Sequence, residues 1–273
     1  MSRAIPLRLV FLFALVASPL AALSVSPARA DAPAPGGASS DAAGLLARAL
    51  VPERLGFRAG EATLSMQLRD AAGRIVERTL RARTIAGSGW RKTRLTFLEP
   101  IDQKGVELLV VEKKGAGAEQ TLWLPRAREL RKIGSSDRGA RLQGSDFTFE
   151  DFESKDLARA TITRDGEETL GGVVCERLAA TGLPGRWAKV VFWVARDQEI
   201  PVRIDFLQGA AGGDAALARR FEVKRLQQIG GQLTPTRMVM SDELAGTRTT
   251  LDLSGFRDER FPDSMFLPEA LGQ

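Results

Sequence analysis

The alternation of apolar and polar residues constrains this chain most, because a period of two is the pattern of a β-strand with one buried face. The alternation begins near Ala59 and continues, with turn residues at short intervals, for most of the sequence. In its first occurrence, residues 62–68 and 76–82 alternate on either side of an Asp-Ala-Ala-Gly turn, which predicts a hairpin. Along the whole chain the pattern predicts about eleven consecutive antiparallel strands.

Some segments of this sheet need a cover. The strand predicted at 201–206 is apolar on one face only, whereas residues 106–111 and 190–194 are apolar on both faces and should be buried on both sides. A strongly curved sheet of this size must close or be covered on its concave face. An amphipathic helix with Asp41 as its N-cap, ending before Pro52, and the region 142–156 are available as covers.

The N-terminus has the features of a secretory signal. Arg3 and Arg8 precede an apolar stretch at 9–23, and Ala28-Arg29-Ala30 forms a small-x-small cleavage site. We therefore predict a signal peptide over 1–30, a flexible linker over 31–43 and one folded domain over 44–273, located outside the cytoplasm. The apolar stretch is shorter than the roughly 20 residues that a membrane-spanning helix needs.

The residue types that are absent exclude many catalytic mechanisms. The chain has no His and no Tyr, so His-dependent triads, Cys-His dyads and His-ligated zinc sites cannot form. The carboxylates at 146–151 match no calcium loop. The single cysteine, Cys175, cannot form an intramolecular disulfide and lies far from the cleavage point, so we expect a buried thiol and no lipid anchor. We predict no enzyme, no metal and no cofactor.

Without the predicted signal peptide, the chain has nearly equal numbers of cations and anions, but these are grouped into stretches of like charge. Without the arginines of the signal peptide, 36 cations face 34 anions, which argues against nucleic-acid binding. Residues 126–141 hold six cations and two anions, and residues 146–156 hold five carboxylates and one lysine. Three interpretations remain open: an ordinary solvated loop, a contact for an acidic partner or lipid phosphates, or two segments that pair and hold a cover shut.

Several segments, taken in order, resemble the outer-membrane lipoprotein-sorting family, specifically its LolA-like periplasmic branch. The matching segments are 97–100 with Lys104-Gly105, 122–125 with 128–133, 144–151, 189–194, 234–238 and 262–266. Each is weak alone, but their joint order is specific and spans nearly the whole predicted domain.

The resemblance implies an open, incomplete antiparallel β-barrel whose short helices cover the concave face and enclose a cavity for acyl chains. It implies a monomeric carrier in the periplasm, which takes lipoprotein acyl chains or free lipid from an inner-membrane transporter to an outer-membrane acceptor. The segment 144–151 is typical of relatives that serve exporters of the resistance-nodulation-division type. A lipid-responsive sensor of the same fold is the alternative.

The inward apolar positions are candidates for cavity lining or for an ordinary packed core, and the sequence alone does not separate the two. These candidates are Leu64, Met66, Leu95, Phe97, Leu108, Val110, Leu122, Leu124, Phe192, Val194, Ile204, Phe206, Met238 and Met240. The candidates for partner contact or gating are Trp123, Arg126, Arg128, Arg131, Lys132, Asp146, Phe147, Glu150 and Asp151.

Overall fold

A computed structural model describes residues 35–50, 57–113, 116–153, 157, 159–183, 185–209 and 215–273. It contains one α-helix, α1 (Pro35–Ala49), followed by thirteen strands among these residues. The strands are β1 (Gly60–Arg69), β2 (Ile75–Gly87), β3 (Trp90–Glu99), β4 (Glu107–Lys113), β5 (Ala116–Leu124), β6 (Glu129–Lys132), β7 (Thr161–Leu170), β8 (Val173–Thr181), β9 (Lys189–Ala195), β10 (Ile200–Gln208), β11 (Ala216–Ile229), β12 (Gln232–Asp242) and β13 (Thr247–Arg257). Short 3₁₀ turns lie at Ser135–Asp137, Leu142–Gly144, Phe149–Phe152, Asp263–Phe266 and Pro268–Ala270.

All strands belong to one antiparallel sheet in the order β6-β5-β4-β3-β2-β1-β13-β12-β11-β10-β9-β8-β7. Each neighbour is also the next strand in sequence, except where β1 pairs with β13. This pairing joins two meanders, and within the described ranges the edge strands β6 and β7 do not pair with each other. The predicted open antiparallel β-architecture is confirmed, with thirteen strands instead of about eleven.

The first predicted hairpin is also confirmed. Leu64 lies opposite Leu80, Leu68 lies opposite Val76, and the turn closes with a 2.9 Å hydrogen bond from the Gly73 amide to the Asp70 carbonyl. Gly73 has a φ of +84°, which a glycine adopts without steric cost. The alternation therefore places Leu80 on the inner face of the sheet, where it is fully buried.

Helix α1 differs from the predicted boundaries. The signal peptide predicted over 1–30 lies outside the described residues, but over 35–43 the chain is helical and not a flexible linker. Asp41 is therefore inside the helix and is not its N-cap. A proline is tolerated at Pro35 because the first turn of a helix needs no amide donor. Gly36 and Gly37 disfavour helix, whereas the leucines and alanines of residues 42–49 favour it. The buried side chains of Leu45 and Leu46 join the core on the inner face of the sheet.

The apolar outer face of β4 is covered by the C-terminal segment, as its two-sided pattern predicts. Leu109 packs with Phe266 and Leu271, and Trp123 and Val111 border this cluster. The segment is also held by polar contacts: the Arg94 guanidinium donates to the Met265 carbonyl at 3.1 Å, and the Gly272 amide donates to the Glu107 carboxylate at 2.8 Å.

The outer face of β9 forms a small cluster of its own. Val191 and Trp193 pack with Cys175, and Leu170, Val202 and Leu207 surround them. The Arg203 guanidinium stacks on the Trp193 ring at 4.3 Å. Cys175 is fully buried, as predicted, and burial raises the pKa of its thiol.

Candidate functional site

An elongated apolar cavity lies between the inner face of the sheet and its covers. Its volume is about 230 Å³, well above the roughly 10–15 Å³ that one water molecule requires. Strands from both halves of the sheet line it, including β2–β4 and β9–β13, and Leu50, Phe57, Phe147 and Phe152 approach it from the covers. We call this space the acyl cavity.

The structure divides the fourteen apolar candidates into two groups. Eight of them line the acyl cavity: Leu64, Leu95, Val110, Phe192, Ile204, Phe206, Met238 and Met240. The other six pack in or against the core cluster without lining the cavity: Met66, Phe97, Leu108, Leu122, Leu124 and Val194. Both methionines of β12 are in the first group, and their flexible thioethers can adapt to acyl chains of different shape.

One end of the acyl cavity is polar. Arg91 and Glu112, opposite each other on β3 and β4, form a largely buried ion pair with a 2.7 Å contact. The hydroxyls of Thr84 and Thr93 lie 3.3 Å apart beside this pair. The remaining lining contains the carboxylates of Asp151 and Glu153 and is otherwise apolar, so a bound molecule would have an apolar body with its polar groups near these side chains or outside the cavity.

Residues 142–152 form a cover over the cavity. Leu142, Phe147 and Phe149 are buried in the core cluster, and Phe147 also lines the cavity. Residues 142–144 and 149–152 form two 3₁₀ turns, so Phe149 and Phe152 do not lie on a strand. A capping box organises the second turn: the Asp151 carboxylate accepts a 2.7 Å hydrogen bond from the Thr148 amide.

Asp146 fixes the cover to β13. Its carboxylate accepts hydrogen bonds from the hydroxyls of Thr247 at 2.5 Å and Thr249 at 2.8 Å, and its amide donates to Thr249 at 2.8 Å. The Arg141 guanidinium adds a 2.8 Å contact. Asp146 is buried, so these hydrogen bonds replace the water that the carboxylate loses.

Arg219 of β11 is the second anchor of the cover. It is buried, and its guanidinium donates to the Asp151 carboxylate at 2.5 Å and to the Asp146 carbonyl at 2.7 Å. Glu150 lies 3.7 Å from the same guanidinium. Sequence reasoning missed Arg219, although a signal was present: it has the same parity as Phe221 and Val223, which line the cavity, so a cation stands at an inward position.

The basic segment, residues 126–141, is more exposed than the cover. Arg126, Arg128, Arg131 and Lys132 are all exposed. Glu129–Lys132 form the edge strand β6, which pairs with β5. Trp123 is therefore not on the edge strand, and it packs on the outer face beside the C-terminal segment.

Some ion pairs join the basic segment to the acidic segment, residues 146–156. Arg138 contacts Glu153, and Arg141 contacts Asp146, whereas Arg131 pairs with its near neighbour Asp137 at 2.9 Å. The strongest anchors of the cover come from β11 and β13. In the part of the chain that the structure describes, no group of three or more Cys, Asp or Glu side chains is placed to hold a metal ion. No helix among these residues combines the length and apolar character needed to cross a membrane.

Comparison with solved structures finds the same fold. A DUF1329 family protein from Desulfovibrio piger matches with a TM-score of 0.74 and 22% identity, over 86% of this chain and 99% of that one. A putative outer membrane lipoprotein-sorting protein domain from Vibrio parahaemolyticus matches with a TM-score of 0.73 and 21% identity, over 84% and 97%. A LolA superfamily protein from Nitrosomonas europaea matches with a TM-score of 0.60 and 17% identity, over 83% and 97%.

Sequence comparison adds one match. No curated protein matches the chain. A family model described as "Uncharacterized protein" matches residues 89–273, which is more than half of the chain. The chain therefore belongs to the family of that model, and its fold is that of the LolA-like, putative outer-membrane lipoprotein-sorting proteins.

Proposed function

We propose that this protein is a non-enzymatic periplasmic carrier for the acyl chains of lipoproteins or lipids. The acyl cavity is the single observation that carries this proposal. Its space of about 230 Å³ is lined mainly by aliphatic, aromatic and methionine side chains from both halves of one sheet. Such a lining offers no polar partner along most of its length, which suits a hydrocarbon chain.

The energetics of burial are compatible with reversible carriage. Burying a methylene is favourable by about 0.8 kcal/mol, so a chain of roughly a dozen methylenes would gain about 10 kcal/mol if fully buried. Incomplete burial lowers this gain and permits release. An open sheet provides that incomplete burial, because among the described residues its edge strands β6 and β7 do not pair with each other.

We further propose that the carrier receives its cargo from an inner-membrane transporter and delivers it toward the outer membrane. Exporters of the resistance-nodulation-division type are among the candidate transporters. Arg126, Arg128, Arg131 and Lys132 would form the contact for an acidic partner, since their charged ends are exposed near the free edge β6. Arginine is suited to this role because its planar guanidinium binds carboxylate or phosphate with two parallel hydrogen bonds.

Native mass spectrometry of protein purified from the periplasm tests the proposal. We expect a mass increment equal to one or more acyl-bearing molecules, which solvent extraction removes and a fluorescent fatty acid replaces. Protein that is always empty and binds no fluorescent fatty acid would contradict a carrier function.

A further inference from the structure

The polar end of the acyl cavity contains a pair of threonine side chains that border the space. Thr84 of β2 and Thr93 of β3 lie opposite each other in the sheet, and both line the cavity. Their hydroxyl oxygens are 3.3 Å apart, longer than the usual O–H···O distance of about 2.7–2.8 Å. The hydrogen bond between them is therefore weak, and an acceptor bound in the cavity would compete with it.

The two hydroxyls have a hydrogen that they cannot use between them. Each hydroxyl carries one hydrogen, and the bond that joins them uses only one of the two. Thr84 is buried whereas Thr93 is partly exposed, so an arrangement in which Thr84 donates leaves the unused hydrogen on the more accessible side chain. In the part of the chain that the structure describes, the Thr93 hydroxyl has Thr84 as its one hydrogen-bond partner. An oxygen of a bound molecule would provide the second.

The charges of the lining disfavour a carboxylate as this second partner. Arg91 is the one cation among the described lining residues, and it is paired with Glu112 at 2.7 Å. Asp151 and Glu153 add two further carboxylates to the lining, each paired with an arginine that lies outside it. An ionised carboxylate of a ligand would therefore lose its water and meet no cation without a carboxylate already beside it. An uncharged carbonyl oxygen avoids this cost.

We propose that the acyl cavity selects acyl chains joined through an uncharged ester over free fatty acids, and that the Thr93 hydroxyl donates a hydrogen bond to the ester carbonyl. The inference rests on the proposed carrier function and specifies the chemistry of its cargo. A free fatty acid, which is ionised at neutral pH, still binds through its hydrocarbon chain but gains no contact from Thr93.

The test uses laurate and methyl laurate, which have identical acyl chains, each displacing the apolar fluorescent probe N-phenylnaphthylamine from the full-length protein. The variant Thr93→Val replaces the hydroxyl by a methyl group of similar size. We expect methyl laurate to bind this variant roughly fivefold more weakly than the wild type, which corresponds to the loss of one hydrogen bond. Laurate and the probe should bind both proteins equally.

The control is Thr79→Val, which removes a hydroxyl from β2 outside the cavity lining. This hydroxyl donates to the Glu99 carboxylate at 3.1 Å, so the control also loses one hydrogen bond. It should leave the affinities for both ligands unchanged, and the melting temperatures of the two variants should both stay near that of the wild type.

A second variant tests the role of charge separately. Glu112→Gln keeps the shape of the side chain but removes the negative charge beside Arg91. Laurate should bind this variant roughly tenfold more tightly than the wild type, because its carboxylate can then pair with the guanidinium. The affinity for methyl laurate should stay the same. Thr93→Val does not disturb this ion pair, so its result stands whether or not Glu112→Gln folds.

Dilauroylglycerol and a diacylated lipopeptide, measured in the same assay, distinguish the two sources of an ester-linked chain. The ligand whose affinity falls in Thr93→Val carries the ester that this residue binds. If the affinity of neither falls, the assignment of Thr93 to the ester is wrong.

The outcomes separate this inference from the carrier function. If Thr93→Val leaves methyl laurate unchanged, or weakens methyl laurate and laurate to the same degree, ester recognition by Thr93 is wrong and the carrier function stands. If a folded Glu112→Gln protein binds laurate no more tightly than the wild type, the selection against carboxylates by charge is wrong. If the wild type binds neither ligand nor the probe, the carrier function itself is wrong.

Discussion

Arg219 is the single residue that connects most parts of the site. It extends from an inward position of β11, contacts Asp151 and the Asp146 carbonyl of the cover, and lies over the Phe206 ring at 5.4 Å. It thus joins the sheet to the cover. An inward cation in an alternating strand is visible in the sequence, but its partners lie about seventy positions away and depend on the fold.

The first residue-scale prediction concerns this anchor. Arg219→Met keeps the length of the side chain but leaves the Asp151 carboxylate without its buried cation. Breaking a buried ion pair on one side costs about 3–5 kcal/mol, so urea unfolding should show a loss of that order in the free energy of unfolding. The control is Arg225→Met on the same strand, whose half-exposed pair with Asp252 should contribute about 0–1 kcal/mol. Equal losses in unfolding free energy in the two variants would show that Arg219 does not anchor the cover.

The second residue-scale prediction concerns pH. Asp205 is buried on the outer face; burial alone would raise its pKa, but hydrogen bonds from Arg220 and Arg203 hold the pKa below its usual value. A lowered folded-state pKa means that the stabilisation is present above the unfolded value of about 4 and is lost as pH falls through the folded value. Asp205→Asn should therefore be less stable than the wild type at neutral pH.

Unfolding free energies measured over a range of pH test the direction of this effect. The difference in unfolding free energy between wild type and Asp205→Asn should begin to shrink near pH 4, where the unfolded carboxyl becomes protonated, and should continue to shrink until the pH has fallen through the lower pKa of the folded carboxyl. A difference that stays constant down to strongly acidic pH would show that the stabilisation does not depend on the carboxylate charge.

At the scale of elements, the secondary structure of β6 and of the cover could not be predicted from the sequence pattern. β6 has only four residues, all exposed and three of them charged, so it has no buried face to produce an alternating pattern. It forms because β5 offers a free edge. The cover carries phenylalanines at alternating positions, yet its backbone follows 3₁₀ turns, because the Thr148–Asp151 capping box and the bonds of Asp146 to β13 override the local pattern.

A charge-reversal experiment tests the role of the basic edge. Exchanging Arg128 and Arg131 for Glu should slow the transfer of a fluorescent fatty acid from the loaded protein to outer-membrane vesicles, because an acidic acceptor would then be repelled. Both side chains are exposed, so the melting temperature should stay within a few degrees of the wild type. The control reverses Arg196 and Arg225, two partly exposed arginines elsewhere on the sheet.

The two variants have equal net charge, so a difference in transfer rate reports position and not overall charge. An unchanged transfer rate in Arg128→Glu/Arg131→Glu would show that the segment is an ordinary solvated surface. Equal slowing in both variants would indicate long-range electrostatics instead of a docking contact.

For the whole molecule, the alternation predicted an antiparallel sheet, and the two-sided apolar runs predicted the cover on the outer face of β4. The resemblance to the lipoprotein-sorting family implied that the sheet is open. The pairing of β1 with β13 lay beyond sequence reasoning, because it joins residues nearly two hundred positions apart. The division between core and cavity also lay beyond it. Phe97 and Val110 are both inward apolar residues, and only the distance between sheet and cover decides that one packs and the other lines empty space.

The most direct measurement of the central claim is the affinity of a fluorescent fatty acid for a variant whose acyl cavity is filled. Ala82→Phe places a ring in the cavity from β2, whereas Thr79→Phe places the same ring on the opposite face of that strand. The account predicts at least a tenfold loss of affinity for Ala82→Phe and none for Thr79→Phe, provided that both variants unfold at temperatures near the wild type. Equal affinity in the two variants would show that the acyl chain does not bind in this cavity.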